Sequence, residues 1–191
     1  MNDRIKIRKT EVLSDQWYVL RKVTYDYRKS DDSWTTQSRE AYDRGNGAVI
    51  LLHNQELKTV ILTRQFRLPT FVNGNPTGMM IEACAGLLEE DNAEDCIKKE
   101  TEEETGYRLS KVKKVFESYM SPGSVTEILH FFVAEYSQDA RVSEGGGIAG
   151  EEDIEVLELD FTEALKMVSS GEIKDAKTIM LLQYAQINQL I

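Results

Sequence analysis

The chain is poor in cysteine, in histidine and in positive charge. Cys84 and Cys96 are the only cysteines, too few for a disulfide framework, so a reducing cytoplasm is the expected setting. With His53 and His130 alone, neither an HExxH pair nor a His-rich zinc site can be built. The 23 basic residues stand against 33 acids, a net charge of −10 that argues against nucleic acid and anionic membrane surfaces as partners. Long apolar runs are also missing. A membrane span needs roughly 18 apolar residues, and the longest uncharged stretches, 68–81 and 178–191, are broken or studded by polar residues. Residues 1–6 carry charge where a signal peptide has its apolar core, so no leader is expected. There is no P-loop and no GxGxxG. The acidic stretch around Asp91 has no glycine at the sixth position of an EF-hand loop.

What is present is a 191-residue chain that is 41% hydrophobic and 29% charged, the composition and length of one globular domain with a small appendage. Residues 17–28 and 34–42 are rich in Thr, Tyr, Val and Trp and predict a hairpin across the turn-forming Ser30-Asp31-Asp32-Ser33. Gly45-Asn46-Gly47 suggests a boundary between an N-terminal β segment, 1–44, and a main domain, 45–191. Further strands are expected at 48–53, 59–63, 79–84, 116–119, 128–136 and 154–159, and helices at 161–169 and 178–189. A glycine-rich stretch, 144–150, reads as a flexible loop. The order predicts an α+β, mixed-sheet fold with one helix inserted midway.

The acidity is concentrated. Between Glu82 and Glu104 lie ten acids and two lysines. Asn92 is a good N-cap, Glu94 and Asp95 suit the first turn, and Gly106 suits the C-terminal stop, so 93–105 reads as a helix. Ala93, Cys96 and Ile97 form its apolar stripe, and Glu100, Glu103 and Glu104 extend that same stripe at helical spacing. Carboxylates three and four apart repel one another, and desolvation would raise the cost further. A cation should therefore sit there, and oxygen ligands favour Mg²⁺ or Mn²⁺.

The run Gly86-Leu87-Leu88-Glu89-Glu90-Asp91-Asn92 through Lys99-Glu100-Thr101-Glu102-Glu103-Glu104-Thr105-Gly106-Tyr107 resembles the Nudix box, Gx5Ex7REUxEExGU. Lys99 stands where the pattern has Arg, and Thr101 where it has an aliphatic residue. The segment from Gly86 to Lys99 is one residue short, so the first glutamate position falls on Asn92 counted forward or Asp91 counted back. The resemblance extends over essentially the whole chain to the GDP-mannose pyrophosphatase branch of the Nudix hydrolases. It is carried by 13–17, 42–47, 64–67, 83–88, Ser121-Pro122-Gly123 with Glu127, 153–159, and Gly171-Glu172-Ile173 before Lys177. Pro122 lies sixteen residues after Gly106, a spacing similar to that of Nudix enzymes acting on nucleoside diphosphate sugars.

This resemblance implies an α/β/α sandwich and Mg²⁺-dependent hydrolysis of a nucleotide sugar, GDP-mannose to GMP and mannose 1-phosphate. ADP-ribose is the alternative substrate, and a non-catalytic nucleotide-sugar sensor the alternative class. It implies that Glu100, Glu104 and the Ala85 carbonyl bind metal with Glu103 in support, and that a loop acid, Glu152 beside Glu151, joins them. Glu103, Glu104 and Glu152 are the catalytic carboxylates of this reading. Ala85, Gly86 and Leu87 line the substrate, Arg67 holds a phosphate, Lys177 an anionic or hydroxyl group, and Glu127 a hydroxyl or base. Trp17 stacks on the nucleobase. A homodimer is implied, with the N-terminal segment exchanged so that Ser38, Arg39 and Glu40 reach the partner's substrate. The competing structural readings are a surface ion pair for Arg67, a solvated Lys177, a capping Glu127, a core Trp17, and a cross-strand ion pair for Arg39. Cys84, Cys96 and both histidines are assigned to structure.

Overall fold

The computed structural model describes residues 3–88, 92–148, 150 and 152–191. The chain divides into two compact units, Met1–Asn46 with Tyr119–Ile128, and Gly47–Ser118 with Leu129–Ile191. No helix among the described residues is long and apolar enough to cross a membrane.

The first unit carries an antiparallel sheet of three strands, β1 (Ile5–Asp15), β2 (Val19–Arg28) and β3 (Trp34–Asp43), in that order. The predicted hairpin is present as β2–β3. Its turn is closed by Lys29 N–H on Ser33 O at 2.8 Å and by Asp31 Oδ1 accepting from Ser33 N and Oγ. The expectation of a two-stranded segment is corrected by β1, whose residues are mostly exposed. Its alternation is masked by charge, and it is fixed by pairing with β2 and by cross-strand contacts such as Arg8 with Asp26 and Lys6 over the Trp34 ring.

The second unit contains β4 (Gly47–Asn54), β5 (Thr59–Phe66), α1 (Leu68–Val72), β6 (Met79–Glu82), β7 (Ala85–Leu87), α2 (Ala93–Thr105), β8 (Lys113–Tyr119), β9 (Ile128–Glu135), β10 (Glu155–Asp160), α3 (Phe161–Ser170) and α4 (Ala176–Ile187). The terminal residues of β8 and β9 at the unit boundary, Tyr119 and Ile128, group with the first unit. The sheet runs β10-β5-β4-β9-β8, with β6 on β5 and β7 on β4. It is mixed, because β4 and β9 are parallel and the other pairs around β4 and β5 antiparallel. Every residue of β4 is buried, so both faces of the sheet are covered. Ala48, Ile50, Leu52 and Phe132 pack with Ile97 of α2 on one face. Phe131 points oppositely and meets Phe116 at 4.5 Å, which in turn meets Tyr184 of α4 at 5.9 Å. That is an α/β/α sandwich, as expected.

Helix α2 starts and stops where its sequence says. Asn92 Oδ1 accepts from Glu94 N and Asp95 N, and Gly106 closes the helix at φ 80°. The Gly145–Gly147 stretch is a built cap rather than a flexible loop. Gly146 N–H donates to Glu104 O and Gly147 N–H to Glu103 O, satisfying carbonyls of the last turn. A Cβ on Gly106 would lie 2.1 Å from Ser143 O in an unfavourable backbone region. Gly106→Ala should therefore lower stability by about 2 kcal/mol or more, read as a fall in the urea midpoint with an unchanged slope.

Candidate active site

A fork in the sheet makes the site. One edge of β4 pairs with β7 at Gly47–Val49 and with β5 at Leu52–Asn54. Beyond the fork β5 pairs with β6 through Thr63–Phe66. The connection from Glu82 to Leu87 crosses this opening, and Ala85, Gly86 and Leu87 lie half-buried beside α2.

The acid stripe of α2 is not uniformly buried, a correction to the sequence expectation. The buried face carries Cys96, Ile97, Thr101, Glu104 and Thr105. Glu104 is 4% exposed, whereas Glu100 and Glu103 are half-buried along the edge. The helix is rolled so that Thr101, not Glu103, faces the sheet. Thr101 Oγ1 bonds back to Ile97 O at 2.6 Å, which removes the penalty of burying a hydroxyl.

Burial raises the Glu104 carboxyl from its ordinary 4.5 to about 7, with repulsion from Glu100 and Glu152 adding to it. The Cys84 thiol and the Arg67 guanidinium act in the opposite direction. Glu104 Oε2 is buried without a hydrogen-bond partner. Glu100 sits so close to β7 that a Cβ on Gly86 would lie 2.2 Å from its carboxyl carbon. Glu152 is held by its own loop, its Oε2 accepting Ile148 N–H at 2.9 Å. Glu151 and Asp91 lie outside the described residues. Asn92 uses its side chain as the helix cap.

Arg67 and Lys177 converge on Glu82. Arg67 Nε and Nη2 reach Glu82 Oε2 at 2.9 and 2.6 Å, and Lys177 Nζ lies 3.4 Å from Oε1 and 2.9 Å from Asp175 Oδ1. Lys177 is therefore not a solvated lysine. Sequence reasoning passed over Glu82 and Asp175; the available signal was a lone carboxylate in the apolar run Met79–Cys84. Cys84 and Cys96 are buried free thiols, consistent with packing roles.

The remaining predicted contacts belong to the first unit. Trp17 is 83% exposed and meets Tyr18 edge-on at 6.1 Å, so the core reading fails for it. Ser38, Arg39 and Glu40 are exposed on β3. Arg39 donates to Ser38 O, and among the described residues it makes no ion pair. Glu127 Oε1 lies 3.6 Å from Arg44 Nε. Arg39, Glu40, Tyr119, Pro122 and Thr126 border an open cavity of about 470 Å³ within that unit. The buried acid and the paired cations are in the second unit.

The carboxylates suit a hard divalent cation. Glu104 offers a buried oxygen with no hydrogen-bond partner among the described residues, the missing Cβ of Gly86 lets the Glu100 carboxyl lie against β7, and the donors are all oxygen. Among the described residues no three His, Cys, Asp or Glu side chains form a closed coordination shell. Glu100, Glu104 and Glu152 instead interact at electrostatic range.

Two outcomes follow from this geometry. Gly86→Ala displaces only the flexible end of Glu100, so it should fold normally yet bind Mg²⁺ about tenfold more weakly in calorimetric titration. Glu104 holds its proton more tightly folded than unfolded. Its contribution to stability is full below about pH 4.5 and lost as pH rises through about 7. Metal-free protein should lose melting temperature across that window, and Glu104→Gln should flatten the loss. An unchanged pH profile in the variant would show that another group titrates.

Comparison with known proteins identifies the family. Residues 4–42 match the GDP-mannose pyrophosphatase NudK N-terminal domain, and residues 43–182 match the NUDIX domain. Proteins named GDP-mannose pyrophosphatase from Shigella dysenteriae serotype 1, Escherichia coli O157:H7 and Citrobacter koseri are each 54% identical over 191 residues, covering all of both chains. With a NUDIX match over most of its length, its box glutamates on α2 and relatives similar from end to end, the chain belongs to the Nudix hydrolases, enzymes that work with divalent metal ions.

Proposed function

We propose that this protein hydrolyses the diphosphate of a nucleotide sugar, GDP-mannose, to GMP and mannose 1-phosphate. The observation that carries the chemistry is Glu104, a buried carboxylate with an unpartnered oxygen in range of Glu100, Glu152 and Arg67. The choice of substrate rests on the end-to-end similarity to proteins of that name.

Glu100, Glu104 and the Ala85 carbonyl would hold Mg²⁺, with Mn²⁺ as a substitute, and Glu103 would support them. A divalent cation held there would supply charge neutralisation and Lewis-acid polarisation to the diphosphate. Glu152 orients the attacking water and accepts its proton, with Glu151 as its neighbour. The water oxygen joins one phosphorus as the bridging P–O bond breaks. Arg67 and Lys177 hold phosphate oxygens, Ala85-Gly86-Leu87 border the substrate, Glu127 takes a hydroxyl or base edge, and exposed Trp17 supplies a stacking surface.

The protein acts as a homodimer in which residues 1–44 exchange, so that Ser38, Arg39 and Glu40 serve the partner's site. Ile5, Ile7, Val12 and Leu13 of β1 are exposed apolar residues that such an interface would cover. The free buried thiols suit a cytoplasmic setting.

A panel of GDP-mannose, other nucleotide sugars and ADP-ribose tests the reading. GDP-mannose with Mg²⁺ should give the highest kcat/KM, and Glu104→Gln should fold and lose nearly all turnover. Preference for ADP-ribose, or wild-type rates in that variant or in EDTA, would overturn it. Mixing Arg39→Ala with Glu104→Gln protein should raise activity above either parent after subunit exchange. Confirmed exchange without recovery would confine Arg39 to its own subunit.

A further inference from the structure

Glu82 has no part in the mechanism above, yet its side chain is only 6% exposed and it contacts two cations. We propose that Glu82, braced by Asp175, is a positioning residue that sets Arg67 and Lys177 side by side as a two-cation clasp for the diphosphate. The inference deepens the proposed function and rests on it for the identity of the substrate.

The contacts form one closed chain. Glu82 Oε2 takes the Nε–Nη2 side of Arg67, and Oε1 faces Lys177 Nζ. Asp175 Oδ1 holds the same Nζ, while Oδ2 caps α4 by accepting Thr178 N–H at 3.0 Å and Thr178 Oγ1–H at 2.5 Å. Thr178 Oγ1 in turn accepts Ala83 N–H at 2.7 Å. The ends of β5 and β6 and the start of α4 are thus tied at one point.

Guanidinium geometry leaves a useful remainder. With the Nε side engaged, the outer edge formed by Nη1 and the second N–H of Nη2 is left to receive paired phosphate oxygens. Arg67 is partly exposed and lies in electrostatic range of Glu104, so that edge belongs to the site. Stability does not account for the cluster, because buried ion pairs rarely outperform apolar packing. Pre-ordering does. Two long side chains fixed before binding lose no rotamer freedom when the ligand arrives.

Calorimetric titration with inorganic diphosphate reads the clasp directly, apart from turnover. Glu82→Gln should keep its melting temperature within a few degrees and bind diphosphate about tenfold more weakly, the weight of a charge-assisted hydrogen bond. With GDP-mannose the loss should appear in KM, with kcat nearly unchanged. Combined with Arg67→Ala, the two losses should be less than multiplicative. Asp175→Asn retains the helix cap, so it should weaken binding with little loss of stability, and it decides the question if Glu82→Gln misfolds. Wild-type diphosphate affinity and KM in the folded variant would overturn the clasp. Wild-type protein that binds diphosphate through Glu82 yet ignores nucleotide sugars would overturn the proposed substrate and leave the clasp standing.

Discussion

Placing the Glu104 carboxylate inside the fold is the constraint on which the rest of the site depends. A carboxylate removed from water costs several kcal/mol unless something compensates it. The molecule surrounds this one with partial compensation. The Cys84 thiol and Arg67 favour the ionised form, while Glu100 and Glu152 oppose it. The balance leaves a group that is half-protonated near neutral pH, with one oxygen unused. A carboxylate in that condition is poorly suited to stabilising a core and well suited to accepting a cation. Helix α2 can hold it there because Ile97, Thr101 and Thr105 on the same face are buried and satisfied.

Charge balance explains why the neighbouring cations are also paired. The chain carries −10 overall and must receive an anion. Free lysines and arginines near the site would relieve that conflict, but they would also collapse onto Glu100, Glu103 and Glu104. Glu82 and Asp175 hold Arg67 and Lys177 in ion pairs of their own. The charged groups of the second unit therefore form an acidic cluster and a locally neutral cluster that still presents N–H donors. A divalent ion suits the first and phosphate oxygens the second.

Much of the second unit was legible in the sequence because its signals are local. Asn92 and Gly106 delimit α2 with their own side chain and backbone, and the uninterrupted apolar run of β4 announces a strand covered on both faces. Glu100, Glu103 and Glu104 follow from spacing on one helix. What escaped depends on distant partners. Strand β1 carries Lys, Arg and Glu among its isoleucines and becomes a strand by pairing with β2. The Gly145–Gly147 stretch has loop composition, and only the α2 carbonyls that it caps give it shape. Glu82 was visible as a lone acid in an apolar run. Its two cations come from positions 67 and 177, far apart in the chain, and no local pattern links them.

Of the three departures from the Nudix pattern, two fall on α2 itself, at Thr101 and Lys99. At the aliphatic position, Thr101 is fully buried, and its hydroxyl is absorbed by the Ile97 carbonyl and the nearby Cys84 sulfur at 4.0 Å. The position asks for a small branched volume against the sheet, and a hydroxyl is tolerated because the helix itself supplies an acceptor. At the arginine position, Lys99 is exposed on the surface of α2, beside Lys98, Glu102, Glu103 and Arg108. Among the described residues Lys99 makes no ion pair, so the bidentate geometry that distinguishes arginine from lysine is not called on there. Glu100 and Glu104 stand in tighter surroundings: a Cβ on Gly86 would strike the Glu100 carboxyl, and Glu104 is buried with Oε2 making no hydrogen bond among the described residues. The pattern is therefore loose where the helix meets solvent or its own backbone, and strict where the helix meets the site.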